Sequence, residues 1–142
     1  MSNSTACVDA SFVARLFLGP DEHPFWELLE SWQAEGVSMR APSLLTFEIS
    51  NVFYRCNRAG YLSLAATDLA LDAVLDLPIT LDDDPGLHRA ALRIATTCGA
   101  AASYDAHYLA LAERLGAPLF TADARLARQS AGTGVVVNLI GG

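Results

Sequence analysis

The sequence predicts an α/β fold, a three-layer α/β/α sandwich around a mainly parallel central sheet. Three observations lead to this prediction. Short apolar runs alternate along the chain with longer segments of helical periodicity, which is the pattern of repeated strand–helix–strand units. Gly or Pro stands at most of the segment boundaries. The last apolar run, GVVVNLI at 134–140, is continuous and β-branched, as buried parallel strands are.

The individual elements follow from these patterns. Strands are predicted for the short apolar runs at 5–10, 37–42, 79–81, 118–122 and 134–140. Helices are predicted where apolar residues recur three and four positions apart, at 11–18, 24–35, 43–57, 64–76, 85–97, 105–115 and 123–129. Gly36 and Gly116 should end two of these helices. Asp84 and Pro85 should begin another, as the N-cap and the first helical residue.

Length and composition indicate a single globular domain over residues 1–142. The chain has 142 residues, of which 52% are hydrophobic and 18% charged. No apolar run approaches the roughly 20 residues of a membrane span, so no membrane association is expected. The N-terminus lacks the basic patch and long apolar core of a signal peptide. We therefore expect a cytoplasmic protein.

The charged residues exclude several kinds of chemistry. The net charge is −7, and all nine basic residues are Arg. Without Lys there is no Schiff-base enzyme, no P-loop lysine and no receiver-domain lysine. An acidic chain is not expected to bind nucleic acid through a broad basic surface. An enzyme whose acids are neutralised locally by metal ions remains compatible with this charge.

The cysteines and histidines offer no competing site. Three cysteines without a C-x-x-C pair indicate neither a disulfide framework nor a zinc site. The histidines have no metal-type spacing, and surface or helix positions are the simpler interpretation of His23, His88 and His107.

Four carboxylates stand out, although each has an ordinary explanation. Asp9 and Asp123 each follow a predicted strand and precede a helix, so either can be an N-cap. Asp105 opens a helix and shares the face that turns inward. Glu48 falls at the edge of the apolar stripe of its helix, where a salt bridge with an Arg is the ordinary alternative.

Taken together, the four acids predict a metal site. The carboxyl ends of parallel strands meet at one edge of the sheet, which should bring Asp9 and Asp123 together. Asp105 and Glu48 lie on helices that flank this edge. Four converging carboxylates repel one another, and such a cluster is stable when it binds a hard cation such as Mg²⁺ or Mn²⁺. Ions of this kind promote the hydrolysis of phosphodiester bonds.

Three blocks of the sequence resemble the PIN domain. They are VDAS at 8–11, PSLLTFEISNVFYRCNRAG at 42–60 and SYDAHYLALAERLGAPLFTADARLAR at 103–128. The order and spacing of these blocks are most similar to the VapC-type ribonuclease toxins of toxin–antitoxin pairs. The resemblance extends from about residue 7 to residue 139, which is nearly the whole chain.

The resemblance implies an active, metal-dependent endoribonuclease. It assigns the catalytic and metal-binding roles to Asp9, Glu48, Asp105 and Asp123, with Mg²⁺ or Mn²⁺ as cofactor. It also implies an RNA substrate, a homodimer and a cognate antitoxin, whose basic side chains would be attracted to the acidic pocket.

Further residues receive supporting roles. Ser11 and Thr121 match the small polar residues that accompany the first and last acids of the family. Many relatives carry an additional acid in an Asp-Phe pair after the last signature acid, where this chain has Arg125 and Leu126. For Arg15, Arg125 and Arg128 we weigh contacts with RNA phosphates against solvated positions or interface ion pairs.

Two other functions remain open at this point. The first is a non-catalytic PIN-fold scaffold that only binds RNA or a protein, against which the complete set of carboxylates argues. The second is an acid-based phosphatase of another α/β family. That chemistry usually requires a second Asp two residues after the nucleophilic one, and Ser11 occupies that place.

Overall fold

A computed structural model describes residues 4–141, and in this range the chain forms a parallel five-stranded sheet with seven helices. The strands are β1 (Thr5–Val8), β2 (Ser38–Pro42), β3 (Ile79–Asp82), β4 (Leu119–Thr121) and β5 (Val137–Leu139). The helices are α1 (Ala10–Arg15), α2 (His23–Glu35), α3 (Leu44–Arg58), α4 (Leu64–Leu75), α5 (Pro85–Cys98), α6 (Tyr104–Leu115) and α7 (Ala124–Gln129). The predicted α/β class and parallel sheet are confirmed.

The strand order determines where the helices lie. The order is β3-β2-β1-β4-β5, and every neighbouring pair is parallel. Right-handed crossovers, the nearly universal hand, place α1 to α4 on one face of this sheet and α5 to α7 on the other. The packing agrees with this arrangement, since α3 contacts α1 and α4 while α6 contacts α5, β1 and β2.

The core lies on both faces of β1, whose residues Ala6 to Val8 are buried. On one face an aromatic cluster joins the first two helices to the sheet. Phe12 of α1 packs edge-on against Phe25 at 5.2 Å and stacks on Trp32 of α2 at 5.5 Å, between ring centroids. Trp32 in turn meets Phe120 of β4 at 4.8 Å. This packing holds α1, and therefore the residues that begin it, at a fixed place above the sheet.

Most predicted boundaries agree with the structure to within two residues, and the expected caps are present. Gly36 and Gly116 end α2 and α6 with left-handed φ angles of 73° and 60°. The side chain of Asp84 accepts a hydrogen bond from Gly86 N at the start of α5, with Pro85 in the first turn. The three cysteines are free thiols. Within residues 4–141, no helix is long and apolar enough to cross a bilayer.

Two predicted elements were partly wrong. The run at 134–140 was expected to be a buried strand, but only Val137–Leu139 is a strand and none of its residues is fully buried. It lies at the edge of the sheet, and among residues 4–141 it pairs with β4 alone, so nothing in this range buries its second edge. The helix predicted at 11–18 is shorter, because regular helix ends at Arg15 and a turn follows before Gly19.

Candidate active site

The candidate site lies at the carboxyl ends of β1 and β4, the two central strands that are neighbours in the sheet. From β1 the chain continues into α1 on one face, and from β4 it continues into α7 on the other. In parallel α/β sheets, ligands bind in the crevice that opens where neighbouring strands diverge in this way. Asp9 directly follows β1 and Asp123 follows β4 after one residue, so both acids stand at the crevice.

All four predicted carboxylates line one pocket of about 310 Å³ at this place, namely Asp9, Glu48, Asp105 and Asp123. Glu48 comes from α3 and Asp105 from the first turn of α6, two helices that approach the crevice from the two faces of the sheet. The pocket therefore draws its acids from four separate chain segments, and none of the segments brings two of them by local sequence alone.

Asp9 is the most buried of the acids, with only 4% of its surface exposed. It is the N-cap of α1, as its Oδ1 accepts the backbone N–H of Phe12 at 2.9 Å. Burial raises the pKa of Asp9 to about 6, although hydrogen bonds from Thr121, Phe12 and Ser11 act in the opposite direction. The capping role and the pocket position therefore belong to the same side chain.

Ser11 and Thr121 hold the Asp9 carboxylate from two sides. Ser11 Oγ donates to Asp9 Oδ1 at 2.8 Å, and Thr121 Oγ1 donates to Oδ2 at 2.5 Å. Each hydroxyl also accepts a backbone N–H, from Ala122 at 2.9 Å and from Asp123 at 2.9 Å respectively. Because a hydroxyl has only one proton, both protons are committed to Asp9, and the carboxylate is oriented by a network that joins β1 to β4.

Glu48 has a partner that sequence patterns do not reveal. The Tyr108 hydroxyl of α6 donates to Glu48 Oε1 at 2.5 Å. Burial raises the pKa of Glu48, the Tyr108 hydrogen bond lowers it, and the charge of Asp105 raises it again. The pKa of Tyr108 is itself raised, first by burial, so its hydroxyl stays protonated and remains a donor. Glu48 thus lies half-buried in a fixed orientation toward α6.

Asp105 and Asp123 differ in the hydrogen bonds and ion pairs that balance the negative charges of their carboxylates. Asp123 caps α7 by accepting Arg125 N at 2.9 Å, and its Oδ2 lies 3.3 Å from Arg125 Nη2. Within residues 4–141, the Asp105 side chain forms neither an ion pair nor a hydrogen bond, and Ser103 rather than Asp105 is the N-cap of α6. Burial raises the pKa of Asp105, the nearby charge of Asp123 raises it further, and Arg125 lowers it. The Asp105 carboxylate is therefore available to bind a cation.

The predicted arginines separate into two groups. Arg125 lines the pocket, but Arg15 and Arg128 do not. Arg15 instead lies over the ring of Phe25 at 4.8 Å and donates to the Asp21 carbonyl at 3.2 Å. Arg128 is an exposed residue in the last turn of α7.

Three pocket residues were missed by sequence reasoning. Asn51, Arg55 and Tyr108 line the pocket beside the acids. Asn51 and Arg55 stand three and seven residues after Glu48, so they share its helix face, and this spacing is a signal that could have found them.

The donor atoms of the pocket suit a hard divalent cation. Four carboxylates supply only oxygen ligands, and Asp9 and Asp105 have no basic partner among residues 4–141. In that range no three Asp, Glu, His or Cys side chains are arranged to hold a metal ion directly. Mg²⁺ commonly keeps several waters and contacts only one or two carboxylates, so the wide spacing is compatible with such an ion. By the chemistry of its donors, the site fits Mg²⁺ or Mn²⁺.

Comparison with known proteins agrees with the fold. A curated relative, Ribonuclease VapC3 of Mycobacterium tuberculosis, is 35% identical over 91 residues. The matched segment covers 64% of this chain and 64% of that protein.

Solved structures extend the likeness over nearly the whole chain. PAE2754 from Pyrobaculum aerophilum is 26% identical with a TM-score of 0.69, covering 94% of this chain and 90% of its own. VapBC2 from Rickettsia felis, solved bound to a DNA fragment from its promoter, has a TM-score of 0.72 at 13% identity, covering 95% and 98%. Mycobacterium tuberculosis VapC20, a toxin that cleaves the sarcin–ricin loop, has a TM-score of 0.65 at 19% identity, covering 89% and 95%. The last two likenesses concern the fold.

The family model of the PIN domain matches residues 6–131, a span that contains Asp9, Ser11, Thr121 and Asp123 as well as Glu48 and Asp105. This confirms the resemblance that the three sequence blocks indicated. The chain belongs to the PIN domain family.

Proposed function

We propose that this protein is a Mg²⁺- or Mn²⁺-dependent endoribonuclease and the toxin of a type II toxin–antitoxin pair, acting on RNA in the cytoplasm. The observation that carries the proposal is that one pocket, at the crevice between the carboxyl ends of β1 and β4, contains all four acids, Asp9, Glu48, Asp105 and Asp123. The similarity to Ribonuclease VapC3 supports the choice of RNA as substrate.

The pocket residues have two roles in this proposal, namely to bind the cation and to accept a proton. Asp9, Asp105 and Asp123 would hold the ion, directly or through water, with Asp9 kept in place by Ser11 and Thr121. When bound, such an ion activates water and stabilises the charge that develops on the scissile phosphate.

Glu48 would either bind the cation as a further ligand or orient the attacking water. Its raised pKa makes it a better proton acceptor than an ordinary glutamate, and Tyr108 fixes the direction of its carboxylate. Arg55 and Arg125 line the same pocket and would contact phosphates of the RNA on either side of the cleaved bond. To do so, Arg125 would break its ion pair with Asp123 and pair with an RNA phosphate instead.

The ends of the RNA fragments test this chemistry. Water rather than the ribose 2′-hydroxyl is the nucleophile, so we expect 5′-phosphate and 3′-hydroxyl ends. Mass spectrometry of the fragments of a labelled RNA, cut with MnCl₂ and compared with an EDTA control, makes the measurement. A 2′,3′-cyclic phosphate end, or equal cleavage in EDTA, would contradict the mechanism. RNA binding without any cleavage would favour the non-catalytic scaffold.

Tyr108→Phe tests the role of Glu48. Loss of the hydroxyl removes the hydrogen bond that lowers the pKa of Glu48, so that pKa should rise. We expect cleavage to fall by about tenfold, as is common for residues that orient a site carboxylate. The acidic limb of the pH–rate profile should move to higher pH. Tyr54→Phe, the same change at an exposed tyrosine outside the pocket, serves as control. An unshifted profile would show that Tyr108 is only structural.

The partners in this proposal are a cognate antitoxin and a second copy of the chain. The net charge of −7 and the acidic pocket favour a basic antitoxin segment. Large apolar side chains are exposed on several helices, which is compatible with protein contacts, and they include Leu64, Leu69 and Leu92. Size-exclusion chromatography with light scattering at micromolar protein measures the oligomeric state, and a monomer would overturn the homodimer.

A further inference from the structure

A second cavity lies directly beside the acidic pocket. It has a volume of about 370 Å³, within the usual range for small-molecule pockets, and is more apolar than the acidic pocket. We call it the aromatic groove and define it by the residues Leu44, Phe47, Leu87, His88, Tyr104 and His107.

The aromatic groove and the acidic pocket share the same two helices. Phe47 of α3 precedes Glu48, and Tyr104 of α6 precedes Asp105, so each groove aromatic adjoins a pocket acid along the chain. His107 of the groove is followed in α6 by Tyr108, which lines the acidic pocket and donates to Glu48, so the two cavities also adjoin at this point. A polymer bound at the acids can therefore extend into the groove.

The aromatic side chains of the groove are unusually exposed. Phe47 has 73% of its surface accessible and Tyr104 has 61%. Neither residue forms a ring contact with another aromatic side chain within residues 4–141. Exposed aromatic rings beside a nucleic-acid site are the usual platforms on which unpaired bases stack.

Polar groups at the rim of the groove are mostly occupied. Asp82 pairs with Arg40 at 2.6 Å, and Asp84 pairs with Arg114 at 2.6 Å. Asp83 lies between them and lines the groove, and it forms no ion pair within residues 4–141. Its carboxylate is therefore free to accept hydrogen bonds.

The groove histidines offer little to a ligand. His88 Nδ1 lies 3.0 Å from His107 Nε2, and His107 Nδ1 lies 2.8 Å from the carbonyl oxygen of Ser103. Three of the four ring nitrogens are thus engaged within the protein. The groups left for a ligand are the two aromatic faces, the Asp83 carboxylate and one ring nitrogen, His88 Nε2.

We propose that the aromatic groove binds one unpaired nucleobase of the RNA next to the cleaved bond, by stacking on Phe47 and Tyr104. Asp83 accepts hydrogen bonds from the edge of the base, which favours guanine, with two adjacent donors in N1–H and its exocyclic amino group, over uracil, with N3–H alone. This inference rests on the proposed function, because continuity with the acidic pocket is what identifies the occupant as RNA rather than protein.

Stacking can be measured without cleavage. A short single-stranded RNA carrying one 2-aminopurine is titrated with the protein in EDTA, and quenching of its fluorescence reports the stacked base. We expect saturable quenching by the wild type and about tenfold or more weaker binding by Phe47→Ala and by Tyr104→Ala. Phe47→Trp should restore binding. Tyr54→Ala removes a tyrosine that is 56% exposed on the same helix α3 but lines neither cavity, and it should bind like wild type.

The outcomes of this titration distinguish a failure of the groove proposal from a failure of the proposed nuclease activity. Absence of quenching by the wild type, or equal quenching by Phe47→Ala, Tyr104→Ala and Tyr54→Ala, would overturn the groove whether or not RNA is cut. Quenching that depends on Phe47 supports the groove even if the wild type does not cleave. Weakened binding that accompanies dissociation of an oligomer in light scattering would identify the groove as a protein interface and overturn the proposal. Asp83→Asn should reduce the preference for a guanine- over a uracil-containing oligonucleotide, and an unchanged preference would show that Asp83 does not contact the base.

Discussion

Replacement of Asp9 by Asn should abolish RNA cleavage, by roughly a thousandfold or more, while the fold is retained. Asp9 is the pocket acid with the most elaborate support, since Ser11, Thr121 and the backbone of Phe12 all donate to it. Asn has the same shape and keeps an acceptor oxygen for the α1 cap, but it loses the charge that a cation requires. The measurement is the cleavage rate of a labelled RNA with MnCl₂.

A variant that loses one negative charge outside the pocket tests whether the loss of cleavage is specific to Asp9. Asp68→Asn removes one negative charge from an exposed position on α4, outside the pocket, and should cleave like wild type. Thermal unfolding followed by circular dichroism checks that both variants are folded. Cleavage by Asp9→Asn at the wild-type rate, in a folded protein, would remove Asp9 from the catalytic machinery.

The metal-free protein should lose stability as the pH rises, and divalent cations should restore it. The pKa of Asp9 is about 6 in the folded protein, against an ordinary value of 3.8. A group with a raised folded pKa contributes stability that is fully present below its unfolded pKa and is lost as the pH rises through the folded one. For Asp9 the loss occurs between about pH 4 and pH 6, and it amounts to something on the order of 3 kcal/mol at neutral pH. Glu48 and Asp105 act in the same direction.

Thermal melts in EDTA between pH 4.5 and 7.5, repeated with MgCl₂ or MnCl₂, measure this dependence. Bound cation stabilises the ionised pocket, so the gain in melting temperature should be larger at pH 7.5 than at pH 4.5. Asp9→Asn should flatten the pH dependence of the melting temperature, whereas Asp68→Asn should preserve it. The second variant controls for the general repulsion among the negative charges of an acidic chain. An equal slope in wild type and Asp9→Asn would mean that burial of Asp9 does not control the stability.

The acids could be predicted because their positions follow from topology. Asp9 and Asp123 end strands that periodicity identifies, and parallel strands place their carboxyl ends together. Capping and site formation were weighed as alternatives for these residues, yet in the structure both caps are made by side chains that also line the pocket. A cap leaves lone pairs on a carboxylate, so one role does not exclude the other.

The residues that sequence reasoning missed depend on packing between layers. The hydrogen bond of Tyr108 with Glu48 joins α3 to α6, and no local pattern determines how two helices from opposite faces meet. Arg15 was considered because of its closeness in sequence to Asp9. The last turn of α1 directs it instead toward Phe25, where its guanidinium lies over an aromatic ring. The length of β5 was overestimated because a β-branched run reports strand propensity and not the presence of a second neighbour.

Direct titration with Mn²⁺ tests whether the four carboxylates form a site for a divalent cation. Isothermal titration calorimetry would compare the wild type with Asp105→Asn, a change that breaks no hydrogen bond or ion pair within residues 4–141 and keeps the side-chain shape. We expect saturable binding by the wild type and an affinity about tenfold or more lower in Asp105→Asn. Identical isotherms for the two proteins, or no saturable binding by the wild type, would contradict this expectation.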